Sequence, residues 1–581
     1  MRKGILFITA ILLASLILNS CYTYKKNPTQ VVLWQLGDPG ALNPVLASDL
    51  GAAEIDNNIF QPLLNFDYRT LKLVPILADS LPTVKIDSAG RMFITYEIRK
   101  EAKWDNGSPV TAKDAEFTLK VIKNPAVNDE ALRSYYDMVS DVILYPDNPR
   151  KFTIVYNEKY MMAVIATGTD TYILPEYAYD SNKYMESFTI KQMYSDTASS
   201  HDSKMLAFAK GFNADKYSRD PNYVSGSGAY KFTSWATGQR IVLDKKVNWW
   251  GDELKSNNCF FEANATKLVY QTINDMTSAL VSLKAGNIDV IGNIRPSEFD
   301  DLSKSEKFSQ NFNTFNTLKL SYAYIGLNML NPKFADIRTR KAIAHLIDVP
   351  RIIKDVYYGY AQQVTSAVTP MDSMEYDYTI KPYGFNIDTA KALLAAAGWK
   401  DSDGDGVLDK IIDGKKTDFK VVYLCNAGNE QRKKVGLMFK EEARKVGIDV
   451  SIVQQEANVF RGNLKTHNFD MCMDVWGFQP GPMDFKQIFY STSALNKGSN
   501  FISFGNAESD ALIDSIRVEL DDIKRAKMVK RLERIMHEEC GDIFLCAQQA
   551  LIAANKRYSN VYPSCNMPFF WEAGFDANAG K

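Results

Sequence analysis

The chain has 581 residues, 46% hydrophobic and 24% charged, with 68 lysines and arginines against 69 acidic side chains. At roughly 100–200 residues per domain, that length calls for three or four structural units rather than one small core. A balance this close to neutral excludes the concentrated basic face of a nucleic-acid binder.

Arg2 and Lys3 open the chain, and residues 5–18 form an apolar run too short to span a bilayer comfortably. This reads as a secretory leader. The run ends in Leu18-Asn19-Ser20-Cys21, which resembles the lipobox of bacterial lipoproteins, where cleavage precedes the cysteine and its thiol carries a diacylglycerol. On that resemblance residues 1–20 are a signal peptide, Cys21 is the lipidated terminus and residues 21–29 are a polar tether to a membrane surface. Loss of Arg2 and Lys3 moves the net charge from −1 to −3. No later segment is long and apolar enough to span. Cys259, Cys425, Cys472, Cys540, Cys546 and Cys565 contain no CxxC pair, and disulfides and buried thiols both stay open.

Residues 31–36 read as a buried strand closed by the turn Gly37-Asp38-Pro39-Gly40. Phe93, Thr95 and Glu97 alternate with Ile94, Tyr96 and Ile98, the two-residue period of a half-buried strand. Thr111 and Asp114 supply the N-cap and acidic first turn of a helix reaching about Lys123. Asp275 caps a helix through Lys284 that stops at Gly286, and residues 388–397 end in the same way at Gly398. Residues 419–424, 430–446 and 449–453 read as strand, helix and strand, a βαβ unit. The alternation predicts an α/β protein with mixed sheets.

Enzyme motifs fail on inspection. His537-Glu538-Glu539-Cys540-Gly541 begins like HExxH, but glycine replaces the second zinc-binding histidine. Ser225-Gly226-Ser227-Gly228 lacks the leading glycine of a nucleophile elbow, and the four histidines are widely separated. One cofactor, a structural calcium, is raised. Asp401, Asp403, Asp405 and Asp409 take positions 1, 3, 5 and 9 of a calcium loop, Val407 offers its carbonyl at 7, and Gly406 fits the turn at 6. Position 12 is Ile412 rather than a bidentate glutamate, so a solvated Asp/Gly turn competes with this reading.

A series of blocks resembles the family 5 bacterial solute-binding proteins, the oligopeptide, dipeptide and nickel-binding group. They include Ala41-Leu42-Asn43-Pro44, Ile59-Phe60-Gln61-Pro62-Leu63-Leu64, the segment 98–114 around Trp104-Asp105-Asn106-Gly107, Gly226-Ser227-Gly228-Ala229-Tyr230-Lys231, Asn248-Trp249-Trp250-Gly251 and residues 334–343. They run in family order from about residue 30 to the C-terminus. The resemblance implies a two-lobed class II periplasmic-binding-protein fold with an inserted subdomain, its lobes joined by two crossing segments. Lobe I is expected over 30–75, 170–272 and 550–581, the inserted subdomain over 76–169 and lobe II over 273–549. Trp104, Trp249, Trp250, Arg338 and Arg340 are expected to serve the framework.

By the same resemblance, Ser48, Asp49 and Leu50 of lobe I and Val475, Trp476, Gly477 and Gln479 of lobe II hold the ligand. Peptide-binding relatives carry an aspartate three residues after the tryptophan matching Trp476, where it pairs with the peptide ammonium. Gln479 carries no charge, so a free N-terminus is not expected to be the dominant anchor. The implied protein is a periplasmic lipoprotein, anchored to the inner or outer membrane, that acts as a monomer and delivers peptides to ABC permease subunits. A metal chelate or oligosaccharide is the alternative ligand, and a lipid-anchored hydrolase is the disfavoured alternative function.

Overall fold

The computed structural model describes residues 29–577 except 48, 196–201, 255–257 and 496–497. The leader, Cys21 and Ser48 lie outside the described residues.

Twelve strands make one hydrogen-bonded system. They are β1 (Gln30–Gln35), β2 (Tyr230–Ala236), β3 (Arg240–Lys245), β4 (Lys267–Thr272), β5 (Val290–Ile291), β6 (Phe312–Leu318), β7 (Ser321–Leu327), β8 (Ala361–Gln363), β9 (Lys420–Asn426), β10 (Asp449–Gln455), β11 (Met471–Gly477) and β12 (Asp542–Asn555). The order is β10-β9-β11-β7-β12-β5-β1-β4-β3-β2, with β6 and β8 also pairing with β12. β1 runs parallel to β4 and β5, and β9 runs parallel to β10 and β11.

The 14-residue β12 belongs to two sheets at once. Asp542 to Cys546 pair with β7, and Cys546 to Gln548 pair with β8. From Gln549 onward the partner is β6, joined by β5 at Ala553 and Ala554. The sheet therefore divides into two lobes where the partner changes.

Side chains alternate across a strand, so a strand buried on both faces needs two covers. On one face of the lobe I sheet, Val31, Leu33, Leu268, Tyr270 and Ile552 join a large core with residues 42–261. On the other face, Val32, Val269, Leu551 and Ala553 pack against Leu280, Leu283, Phe299, Leu302 and Phe308. Residues 276–312 cover the second face of the lobe I sheet, and the first crossing falls between β6 and β7, at residues 319–320.

Within lobe I, α1 (Leu50–Ile59) lies under the sheet's edge and α2 (Ala112–Lys123) covers the inserted subdomain. That subdomain carries a four-stranded antiparallel sheet of Thr83–Ile86, Met92–Glu97, Asn148–Tyr156 and Val139–Tyr145. Thr111 and Asp114 form a capping box that starts α2, the Thr111 amide donating to Asp114 Oδ2 at 2.8 Å. A short helix, α3 (Ala163–Gly168), follows the last strand. In lobe II, α4 (Glu430–Arg444) joins parallel β9 and β10, burying Val435, Phe439 and Ala443 against Val421 and Tyr423. The six cysteines past the leader are buried free thiols.

Candidate functional site: the cleft between the lobes

In an open α/β sheet ligands gather outside the carboxyl ends of parallel strands. β1 ends at Gln35, whose side-chain amide donates to Glu54 on α1 at 3.2 Å. Asp49 caps α1. One carboxylate oxygen accepts from the Ala52 amide at 2.9 Å and the other from the Gly40 amide at 3.0 Å, so Asp49 is engaged with backbone on both sides. Leu50 begins the helix and is 66% exposed.

The lobe II wall is the end of β11. Ser321, Tyr322 and Ala323 of β7 pair with Gly477, Trp476 and Val475 on one side. On the other side β9 pairs only with Met471 and Cys472. Beyond Cys472 the outer edge of β11 has no strand partner among the described strands. Gln479 follows the strand, and its amide nitrogen lies 3.3 Å from Asp170 Oδ2 of lobe I. The fold thus places Val475, Trp476, Gly477 and Gln479 together at the lobe boundary. No hydrogen bond among the described residues joins Asp49 or Leu50 to them.

Other contacts hold the lobes closed. The Tyr160 hydroxyl donates to Asp484 at 2.9 Å, and Arg517 reaches the same carboxylate at 3.0 Å while its guanidinium lies over the Tyr160 ring. The Met161 amide donates to the Arg517 carbonyl at 2.8 Å. Gly481 has φ +102°, and a Cβ there would stand 2.9 Å from Ile165. Glycine lets the lobe II loop approach α3 closely. A groove of about 900 Å³ lies elsewhere, on lobe I around residues 100–107 and 231–253.

Lobe I holds several buried carboxyls, of which Asp170 stands at the lobe boundary. Burial pushes Asp170 up to about 6. Burial also raises Glu54 and Asp56 well above the usual carboxylate range, reinforced by Glu572 and Asp49 respectively, and raises Glu572. Asp56 is 1% exposed with both oxygens unpartnered, and Glu572, equally buried, has one oxygen unpartnered. Tyr172 lies within the electrostatic reach of both Asp56 and Asp170 and donates its hydroxyl to Asn57. At the first crossing, Lys319 sits over Phe569, and burial lowers its ammonium to about 8.

The Gly226-Ser227-Gly228 segment has a structural reason. The Gly228 amide donates to the Ile59 carbonyl at 2.9 Å, and a Cβ at 226 or 228 would collide with α1 carbonyls at 2.2 or 2.4 Å. Trp249 and Trp250 both donate to the Ser227 carbonyl at 2.9 Å, which makes them framework. Asp170, Glu54, Asp56, Glu572 and Tyr160 were missed in the sequence.

The calcium loop is partly assembled. Asp401, Asp403 and Asp405 each offer an oxygen within 4.8 Å of the others, all exposed. Asp409 is turned to the Ser402 amide and hydroxyl, and Lys416 pairs with Asp403 and stands 3.7 Å from Asp409. A protein ammonium therefore already offsets part of the loop's negative charge.

Two α/β lobes that share one strand and close over a free strand edge form a solute-binding receptor. The chain belongs to the bacterial extracellular solute-binding proteins, family 5, whose model matches residues 72–497. It is a transport receptor and not an enzyme. It is 27% identical over 562 residues to the oligopeptide-binding protein AppA of Bacillus subtilis, covering 93% of this chain and 92% of AppA. The dipeptide-binding protein of Escherichia coli is 21% identical, with 88% and 87% covered. The solved structure of Bacillus subtilis AppA in complex with a nonapeptide superposes with a TM-score of 0.71 at 24% identity, covering 94% of this chain and 98% of that one. NikA from Brucella suis in complex with Fe(III)-EDTA gives a TM-score of 0.75 at 19% identity, with 94% and 99% covered.

Proposed function

We propose that this receptor captures peptides between its lobes and hands them to the permease of an ABC importer, anchored on the periplasmic side of the inner or outer membrane by lipid on Cys21. One observation carries the peptide reading: from Val475 to Gly477 the outer edge of β11 has no strand partner among the described strands, the Val475 amide being met only by the Asp474 side chain at 2.9 Å. An extended peptide satisfies such an edge as an added strand, with main-chain hydrogen bonds giving affinity and pockets sorting side chains. The names of the AppA relative and of its nonapeptide complex support this reading. Ligand that touches both lobes favours the closed form, because only differential affinity shifts that equilibrium.

Mass spectrometry of small molecules retained by the purified protein tests the ligand class. Peptides are expected. A bound chelate or oligosaccharide would replace the peptide reading and leave the receptor role standing. Fractionation of Cys21→Ala tests the anchor, and a variant that stays with the membrane would end the lipid reading.

A further inference from the structure

We propose that Asp170 is the counter-charge for a cationic group of the captured solute, an ammonium above all, and so sets a preference for ligands with a free amine beside the β11 edge. This rests on the peptide reading and deepens it.

Three observations place the charge. Asp170 stands where the lobes meet, Oδ2 within 3.3 Å of the Gln479 amide nitrogen and Oδ1 accepting from the Thr169 hydroxyl at 3.0 Å. Gln479 is two residues past the last residue of β11, so the carboxylate sits at the end of the free edge. The amide that gives its N–H to Asp170 keeps its own carbonyl oxygen as a further acceptor on the same spot.

Asp170 also lacks an internal cation, with no lysine or arginine forming an ion pair with it among the described residues. Its neighbours are the neutral phenols of Tyr135, Tyr136, Tyr156 and Tyr172, all of which feel its charge. Three of those hydroxyls are directed to other acceptors: Tyr135 to Gln487, Tyr136 to the Ala166 carbonyl and Tyr172 to Asn57. A desolvated carboxylate with two neutral donors has strong residual demand for a charged one.

The other buried carboxyls around α1 do not take this role, because burial favours the neutral form of Glu54, Asp56 and Glu572. Gln479 itself supplies no charge, so the negative charge comes from lobe I. Binding an ammonium there therefore joins the two lobes through Asp170 and Gln479.

The test uses the full chain and a tryptic digest of serum albumin, half of it amine-acetylated with isotope-labelled reagent. Retained peptides are counted by mass spectrometry at pH 7.5. The unaltered protein is expected to enrich free over acetylated peptides about tenfold or more, and Asp170→Asn to bring the ratio within about twofold of unity. Retention of the acetylated set should be unchanged in Asp170→Asn, which a merely structural loss would not preserve. Equal retention of both sets by the unaltered protein, or an undiminished preference in Asp170→Asn, overturns the assignment while leaving the peptide reading intact. Retention of neither set by the unaltered protein overturns both.

Discussion

The surroundings of α1 in lobe I and an arginine-rich part of lobe II treat buried carboxylates in opposite ways. In lobe II, Asp474 is 1% exposed and is held by Arg432 at 3.0 Å and Arg461 at 2.9 Å. Glu375 pairs with Arg525 at 2.9 Å and Asp377 with Arg534 at 2.7 Å. Around α1 of lobe I, Glu54, Asp56, Asp170 and Glu572 have no such ion pairs among the described residues. An internal guanidinium fixes the geometry of a carboxylate and removes its appetite for another cation. Leaving it out keeps that appetite at Asp170 available to a ligand, while burial favours the neutral form of Glu54, Asp56 and Glu572. Glu533 shows the limit of the contrast within lobe II: fully buried against the Ser366 hydroxyl, it is pushed up to about 8 and so holds its proton at neutral pH.

The sharpest way to break this comparison is Asp474→Ala. It strands two guanidinium groups, and urea unfolding is expected to show a loss of about 3–5 kcal/mol. Gly228→Ala ranks next, because its Cβ would stand 2.4 Å from the Asn58 carbonyl of α1. A cost of about 2–3 kcal/mol in the same measurement is expected, with weaker ligand binding as α1 shifts.

Asp170→Asn should act in the opposite sense on the ligand-free protein. With its folded pKa raised to about 6, Asp170 keeps a proton that the unfolded chain has already released, so its contribution to stability is present at low pH and is lost as pH rises from about 4 through 6. The variant removes that portion of the pH slope and is expected to gain about 1–2 kcal/mol at pH 7.5. Parallel thermal melts at pH 5 and 7.5 check it, and an unchanged slope would show that the carboxylate is not desolvated. Tyr160→Phe is the mildest change, expected to cost under about 1 kcal/mol of closure. Small-angle scattering without ligand should then report a larger radius of gyration than for the unaltered chain.

Much of the fold was legible because local chemistry announces it. Asp275 caps Met276–Lys284, and the βαβ unit around Glu430–Arg444 forms from its helical apolar spacing and flanking strands. The cover over the second face of β1 was not legible. The run Val31-Val32-Leu33 says that both faces are buried but does not name the segment that buries Val32, and residues 276–312 carry no mark assigning them to one lobe. Within the site, Val475 to Gly477 were reached through family resemblance rather than periodicity. Asp49 is an N-cap, a role its place one residue before α1 could have signalled. Asp170 sits in Gly168-Thr169-Asp170-Thr171, a stretch without period, and meets Gln479 only because two segments 309 residues apart converge on closure.

The strand β12 has a consequence for how the molecule comes into being. Its first half completes the sheet of one lobe and its second half the sheet of the other, and it lies within the last forty residues of the chain. Neither sheet can be finished until that strand arrives, so more than five hundred residues must wait for a partner at the far end. A truncation ahead of Asp542 therefore leaves two incomplete lobes with bare edges on β6 and β7, the kind of surface that pairs with another chain. The strand that joins the lobes is thus also the one whose arrival commits both sheets to their fold.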